Sequence, residues 1–317
     1  MKTAFLFSGQ GAQTIGMGKE LCENFAVASD TFDAASAAIG IDMKAMIFDG
    51  DSETLMITEN TQPAILTMSI AAYRVVESMG FRPDVVAGLS LGEYSAHVAA
   101  KSMDFEDAVR LVKKRGKYMQ EEVPVGVGAM AAILALDADA VYAICKDASA
   151  KGIVEPANFN CPGQITVAGE KDAVAYACEL AKERGAKRAV MLPVSAPFHC
   201  SMLKGAGEKL EKELNNVPVS DLAVPLITNV TADYVKSKEE IKDLLVRQVS
   251  SSVLFEKSLR RMLADGVDTF VEIGPGKTLC GFVKKITKDA NVYHVEDMQS
   301  LEEMKAALGE GGNTNEI

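Results

Sequence analysis

Short apolar runs alternate along this chain with longer stretches whose apolar residues recur every three or four positions. The first pattern predicts buried strands, and the second predicts helices with one face toward a core. Residues 2–7 form the first run and end at Ser8-Gly9-Gln10-Gly11, a glycine-rich turn of the kind that lets backbone approach a ligand. Over 18–39 the spacing predicts a helix with Leu21, Phe25, Ala28 and Phe32 on one face. A second helix should open at Asn60-Thr61-Gln62-Pro63, with Thr61 as its cap and Pro63 in its first turn, and run to Met79 before Gly80. Arg82-Pro83-Asp84 breaks the chain, and the β-branched run at Val85-Val86 follows. Residues 91–100 read as a helix, and Asp104 caps another over 105–121.

The pattern changes at Val123-Pro124-Val125-Gly126. Strands are predicted at 128–136, 153–158, 164–168 and 188–194, with helices at 137–150 and 172–184 and a loop at 159–163. The order β-α-β-β-α-β is that of a ferredoxin-like unit. After Ala196-Pro197-Phe198-His199 the strand-helix alternation resumes. Helices are expected at 201–215, at 237–248 behind a Ser237-Lys238-Glu239-Glu240 capping box, at 253–264 and at 277–288. Strands are expected at 225–230, 268–273 and 291–295, and residues 309–317 should be disordered. The fold class is therefore α/β: a large parallel-sheet domain made of residues 1–124 and 195–317, with an inserted ferredoxin-like small domain at 125–194.

One stretch carries a chemical signature. Gly88-Leu89-Ser90-Leu91-Gly92 sits between a predicted strand and a predicted helix, the context of a nucleophile elbow in an α/β-hydrolase-like sheet. The glycines let the backbone turn tightly, and the serine hydroxyl stands out at the top of the sheet. Of the three histidines, His97 lies seven residues after Ser90 on the same helix, about 10 Å away by helical rise, too far for a hydrogen bond. His294 sits in or after the last strand and reads as a structural or surface residue. His199 stands in a loop, equally readable as a base for Ser90 or as a satisfied structural histidine. Arg115 differs in kind from Lys113, Lys114 and Lys117 around it, because a guanidinium grips a carboxylate with two parallel bonds.

Composition narrows the classes. The six cysteines are scattered with no C-x-x-C pair, which fits free thiols in a reducing, cytoplasmic setting and no zinc site; Cys161 and Cys200 are rival nucleophiles without an elbow. A net charge of −11 excludes nucleic acid as a general partner, and no apolar run reaches the ~18 residues of a membrane span.

Phe7-Ser8-Gly9-Gln10-Gly11-Ala12-Gln13, Asn60-Thr61-Gln62-Pro63-Ala64, Ser90-Leu91-Gly92-Glu93-Tyr94-Ser95-Ala96, Arg115-Gly116, Gly128-Ala129-Met130-Ala131-Ala132, Asn160-Cys161-Pro162-Gly163-Gln164, Phe198-His199, Gln248 and Glu272-Ile273-Gly274-Pro275-Gly276 occur in that order. Together they resemble the malonyl-CoA:acyl carrier protein transacylases of fatty acid synthesis, and the chain is also similar to the acyltransferase domains of polyketide synthases. The resemblance implies Ser90 as the acylated nucleophile and His199 as its base, with a backbone carbonyl near Gln248 rather than an acid orienting the histidine. It implies an oxyanion hole from the backbone N–H groups of Gln10 and Leu91, and a substrate site of Arg115, Gln248 and Asn160. It further implies malonyl-CoA and acyl carrier protein as partners, a monomer, and no metal or other cofactor. The acidic carrier would need a local basic patch, for which Lys182, Lys187, Arg188, Lys277, Lys284 and Lys285 are candidates. The alternatives are a polyketide-pathway malonyl loading enzyme, a serine thioester hydrolase, and a non-catalytic binder. Two positions depart from the family pattern: Leu89 stands where a histidine is usual, and Val249-Ser250-Ser251-Ser252 follows Gln248 where proline and tryptophan are common.

Overall fold

The computed structural model describes residues 1–194 and 196–309. Its strands, in chain order, are β1 (Thr3–Phe7), β2 (Val85–Gly88), β3 (Gly128–Leu134), β4 (Val154–Cys161), β5 (Gln164–Glu170), β6 (Arg188–Met191), β7 (Thr269–Ile273) and β8 (Asn291–Val295). One sheet is wholly parallel and runs β2-β1-β7-β8. Alternation along β1 feeds two cores at once. Phe5 and Phe7 face the helix Thr58–Ser78 and meet the Tyr73 ring edge-on, at 6.3 and 6.1 Å between centroids. Ala4 and Leu6 face the helices Phe255–Ala264 and Thr278–Ile286. A strand buried on both faces reads as an unbroken apolar run, which is why its sequence is so legible.

The second sheet is antiparallel and runs β4-β5-β3-β6, the strand order of a ferredoxin-like unit. The helices Ala138–Ala148 and Lys171–Glu183 cover one of its faces. On the other, Met130, Ala157 and Ala168 join the core that contains Phe5 and Phe7. Backbone stitches the two halves together: Phe159 donates to the Val253 carbonyl at 2.9 Å, and Val253 donates to the Ala157 carbonyl at 2.8 Å. No helix among the described residues is long and apolar enough to cross a membrane.

Several expected elements come out differently. The helix over 18–39 is two, Lys19–Asn24 and Ala26–Ile39, parted at Phe25, whose backbone is extended; the Asn24 side chain takes the Glu20 carbonyl at 2.8 Å and ends the first. The next long helix starts at Thr58, so Thr61 lies inside it and donates back to Leu55 and Ile57 carbonyls instead of capping, and Pro63 falls beyond the first turn. The run over 225–230 makes only single bridges, Leu226 to Val86 and Ile227 to Tyr234, because the chain turns away at Thr228. Ser237 makes no capping bond; a 3-10 turn at Lys238–Glu240 leads into the helix Ile241–Val249. The loop at 159–163 shrinks to Pro162-Gly163, since β4 runs on through Cys161. Helices Met43–Phe48, Ser52–Met56 and Met298–Leu308 had no strong sequence signal; the first two are a turn or so long, and the third is fixed by an Asp297–Ser300 capping box. Of the tail expected to be disordered, residues 310–317 lie outside the described residues.

Candidate active site

β2 ends at Gly88, and the helix Gly92–Ala99 begins four residues later. Between them Ser90 is forced to φ 53, a left-handed conformation that an L-residue adopts only when its surroundings hold it there. The flanking glycines are sterically required. A Cβ on Gly88 would sit 1.9 Å from the Gly92 carbonyl carbon, and one on Gly92 would sit 2.1 Å from the Phe7 carbonyl oxygen. Asn229 locks the turn from outside: it accepts from the Ser90 N–H at 2.6 Å and donates to the Gly88 carbonyl at 2.7 Å.

His199 meets the elbow from a loop, with a φ of 63 and almost no exposure. Its Nε2 lies 2.6 Å from Ser90 Oγ, and its Nδ1 lies 2.8 Å from the carbonyl oxygen of Gln248. A carbonyl only accepts, so Nδ1 carries the proton and Nε2 is free to accept the serine hydroxyl. Burial, then the neighbouring Arg115 charge, pulls the imidazole down to about 3, which keeps it neutral at rest.

Arg115 projects into the same place from the helix Phe105–Glu122 and is 1% exposed. Nη1 donates to Gln62 Oε1 at 2.9 Å; Nη2 donates to Gln248 Oε1 at 2.9 Å and to Ser90 Oγ at 3.2 Å. Two neutral amide oxygens thus hold a buried cation with no carboxylate directly on it among the described residues. That leaves room for an anion brought by a ligand, since a guanidinium is most favourable when paired. Ser90, His199, Arg115, Gln10, Leu89, Asn158 and Asn160 line one cleft of about 430 Å³, whose apolar wall includes Met119, Met130, Leu192 and Phe198. The backbone N–H groups of Gln10 and Leu91 have no acceptor among the described residues. Donors of that kind beside a serine can hold a developing oxyanion.

The other candidates lie elsewhere. His97 is wholly buried, with Nδ1 2.8 Å from Ser102 Oγ, and burial drags it down to about 3. His294 faces Glu296 at 3.3 Å. Cys161 and Cys200 are buried, and burial pushes their thiols up, Cys200 to about 12, so neither is a ready thiolate. Lys182, Lys187, Arg188, Lys277, Lys284 and Lys285 are all exposed. The cluster also contains residues to which the sequence attached no role: Asn229, Gln62 and Glu93. Buried polar side chains inside apolar runs are the available signal, and Asn229, closing the run over 225–230, is the clearest instance.

Residues 4–310 match the acyl transferase domain family. The malonyl CoA-acyl carrier protein transacylase of Bacillus subtilis is 49% identical over 302 residues, covering 95% of each chain. Among solved structures, the malonyl CoA-acyl carrier protein transacylase of Clostridium perfringens superposes with a TM-score of 0.95 at 48% identity over 97% of each chain. A malonyl-transacylase solved with its type II PKS acyl-carrier protein superposes at 0.94, with 41% identity over 96% of this chain and 99% of that one. With fold, motifs and length all in agreement, this chain belongs to the acyl transferase domain family and, within it, to the malonyl CoA-acyl carrier protein transacylases.

Proposed function

We propose that the protein moves a malonyl group from malonyl-CoA to the phosphopantetheine thiol of an acyl carrier protein, through an ester on Ser90, and so supplies fatty acid synthesis. One observation carries this: a single hydroxyl, Ser90 Oγ, contacts both a neutral imidazole nitrogen at 2.6 Å and a buried guanidinium at 3.2 Å. A base on the hydroxyl suits acyl transfer, and a cation beside it suits an acyl group that carries its own carboxylate.

In the first half-reaction His199 Nε2 takes the Ser90 proton as Oγ attacks the thioester carbon. The oxyanion gathers on the N–H groups of Gln10 and Leu91. The C–S bond breaks, and His199 returns the proton to the coenzyme A thiolate. The second half-reaction reverses these steps with the phosphopantetheine thiol. Arg115 would hold the malonyl carboxylate throughout, with Gln248 and Asn160 beside the acyl chain. Each step uses this chain's own groups and two thiols, with no metal or organic cofactor. The same division of labour assigns the elbow to a large unit, residues 1–124 and 195–317, and a cleft wall to an inserted unit, 125–194. The carrier protein as acceptor is supported by the related transacylase solved with one.

Mass spectrometry after exposure to malonyl-CoA should find one malonyl group on Ser90, absent from Ser90→Ala. Label on Cys161 or Cys200 would overturn the assignment.

A further inference from the structure

The proposed reaction leaves one buried acid at the site without a task. Glu93 stands three residues after Ser90 in the helix Gly92–Ala99 and is fully buried. Its Oε2 accepts from Gln248 Nε2 at 2.8 Å and from the backbone N–H of Asn229 at 2.9 Å. Both bonds lead back to reacting groups. Gln248 also donates through Nε2 to the Ser90 carbonyl at 3.0 Å, accepts from Arg115 on Oε1, and accepts from His199 Nδ1 on its main-chain oxygen. Asn229 holds the Ser90 N–H. The two protons of the Gln248 amide therefore go to Ser90 O and an ionised Glu93, neither of which can donate. Oε1 is left to face Arg115. The carboxylate and the guanidinium thus sit on opposite sides of one amide group.

We infer that Glu93 is a positioning residue and the internal counter-ion of Arg115, orienting the guanidinium and His199 through Gln248 while its charge favours the imidazolium and opposes the substrate carboxylate. This rests on the malonyl transfer proposed above. When His199 takes the serine proton, a second positive charge appears beside Arg115 in a site with little water. A fixed negative charge across the Gln248 amide stabilises that state whichever acyl group is bound. The same charge repels a malonyl carboxylate on Arg115 but has no such effect on an acetyl group. The ionisable groups acting directly on Glu93 are Arg115 and Tyr94, and His199 is reached through Gln248. Burial holds its carboxyl up at about 7, against the hydrogen bonds from Gln248 and Asn229 and the attraction of Arg115, so it titrates near neutrality.

Glu93→Gln keeps an acceptor for both N–H groups and removes the charge. Transfer from malonyl-CoA and from acetyl-CoA should both lose kcat by about tenfold, the effect of one pKa unit of lost charge stabilisation. The KM for malonyl-CoA should fall, while that for acetyl-CoA should not change. Wild-type kcat should decline toward the variant's value as pH drops below about 7, and the variant should lack that step. An unchanged kcat, or a KM that rises equally for both acyl-CoAs, would overturn the inference. So would a wild-type profile without an ionisation near neutrality, a test that needs no folded variant. Wild-type protein that forms no malonyl-enzyme would instead refute the transfer itself.

Discussion

His97 and His199 have lost water to the same degree, and burial holds both near 3, yet their surroundings differ in kind. His97 is wholly buried in the last turn of the helix Gly92–Ala99. Its Nδ1 pairs with Ser102 Oγ at 2.8 Å, its carbonyl accepts from the Ser102 N–H at 3.0 Å, and its Nε2 has no partner among the described residues. It fastens the chain as the helix ends. His199 sits in a left-handed backbone conformation at the cleft, with one nitrogen on a carbonyl and the other on the elbow serine. Low basicity is therefore a mark of burial, not of function. What separates the two is a hydroxyl on a strained turn within reach of a nitrogen whose tautomer is already set.

The hardest test of this contrast replaces each histidine by alanine. His199→Ala should lower malonyl transfer by about 10²–10⁴-fold, the usual worth of a positioned general base. His97→Ala should transfer at close to the wild-type rate but melt earlier, since it leaves a cavity and removes the ring's bond to Ser102 Oγ, which keeps only the main-chain carbonyl of residue 97. A dead, stable His97→Ala would reverse the roles.

Arg115 sharpens the contrast, because it presses on His199 and not on His97. Arg115→Ala should cut malonyl transfer by about a hundredfold, since a carboxylate left unpaired in the cleft costs several kcal/mol. Acetyl transfer should suffer far less, and Arg115→Lys should recover only part of the malonyl rate, because a point charge replaces a planar fork. With acetyl-CoA as substrate, the acid limb of the Arg115→Ala rate profile should move to higher pH as the imidazole regains basicity. Equal loss for both acyl groups would make Arg115 structural.

The smallest effect concerns stability alone. A histidine buried neutral must take up a proton on unfolding once the pH is below its free value. His97 therefore contributes stability above 6.5 that drains away as pH falls toward about 3. Melting temperatures measured from pH 7 downward should fall less steeply for His97→Asn, whose amide can still reach Ser102 but does not titrate. Identical slopes would mean that other groups dominate the acid limb.

Much of this was legible beforehand, for identifiable reasons. β1, β2 and β7 are buried on both faces and announce themselves as apolar runs. The antiparallel unit was legible in its order of elements, though β4 and β5 each ran further than expected. Phe25 fitted the apolar face of one long helix, and spacing alone carries no sign that its backbone is extended. The run over 225–230 has the composition of a strand but lacks a neighbour to pair with beyond single bridges.

Local sequence determined the elbow: glycines where a Cβ would collide, a serine between them, a strand before and a helix after. Those constraints act within a few residues, so they can be read without knowing the fold. Tertiary structure alone decided what surrounds that serine. His199 is 109 residues away in sequence, Asn229 is 139, and Gln248 is 158. Each arrives on a different segment, at angles set by how the two sheets pack. A histidine in a loop, an asparagine after an apolar run and a glutamine near a helix end carry no local mark of where their side chains will meet. Only the closed fold removes the water from around them, and that turns a hydroxyl, an imidazole, a guanidinium and a carboxylate into one coupled group.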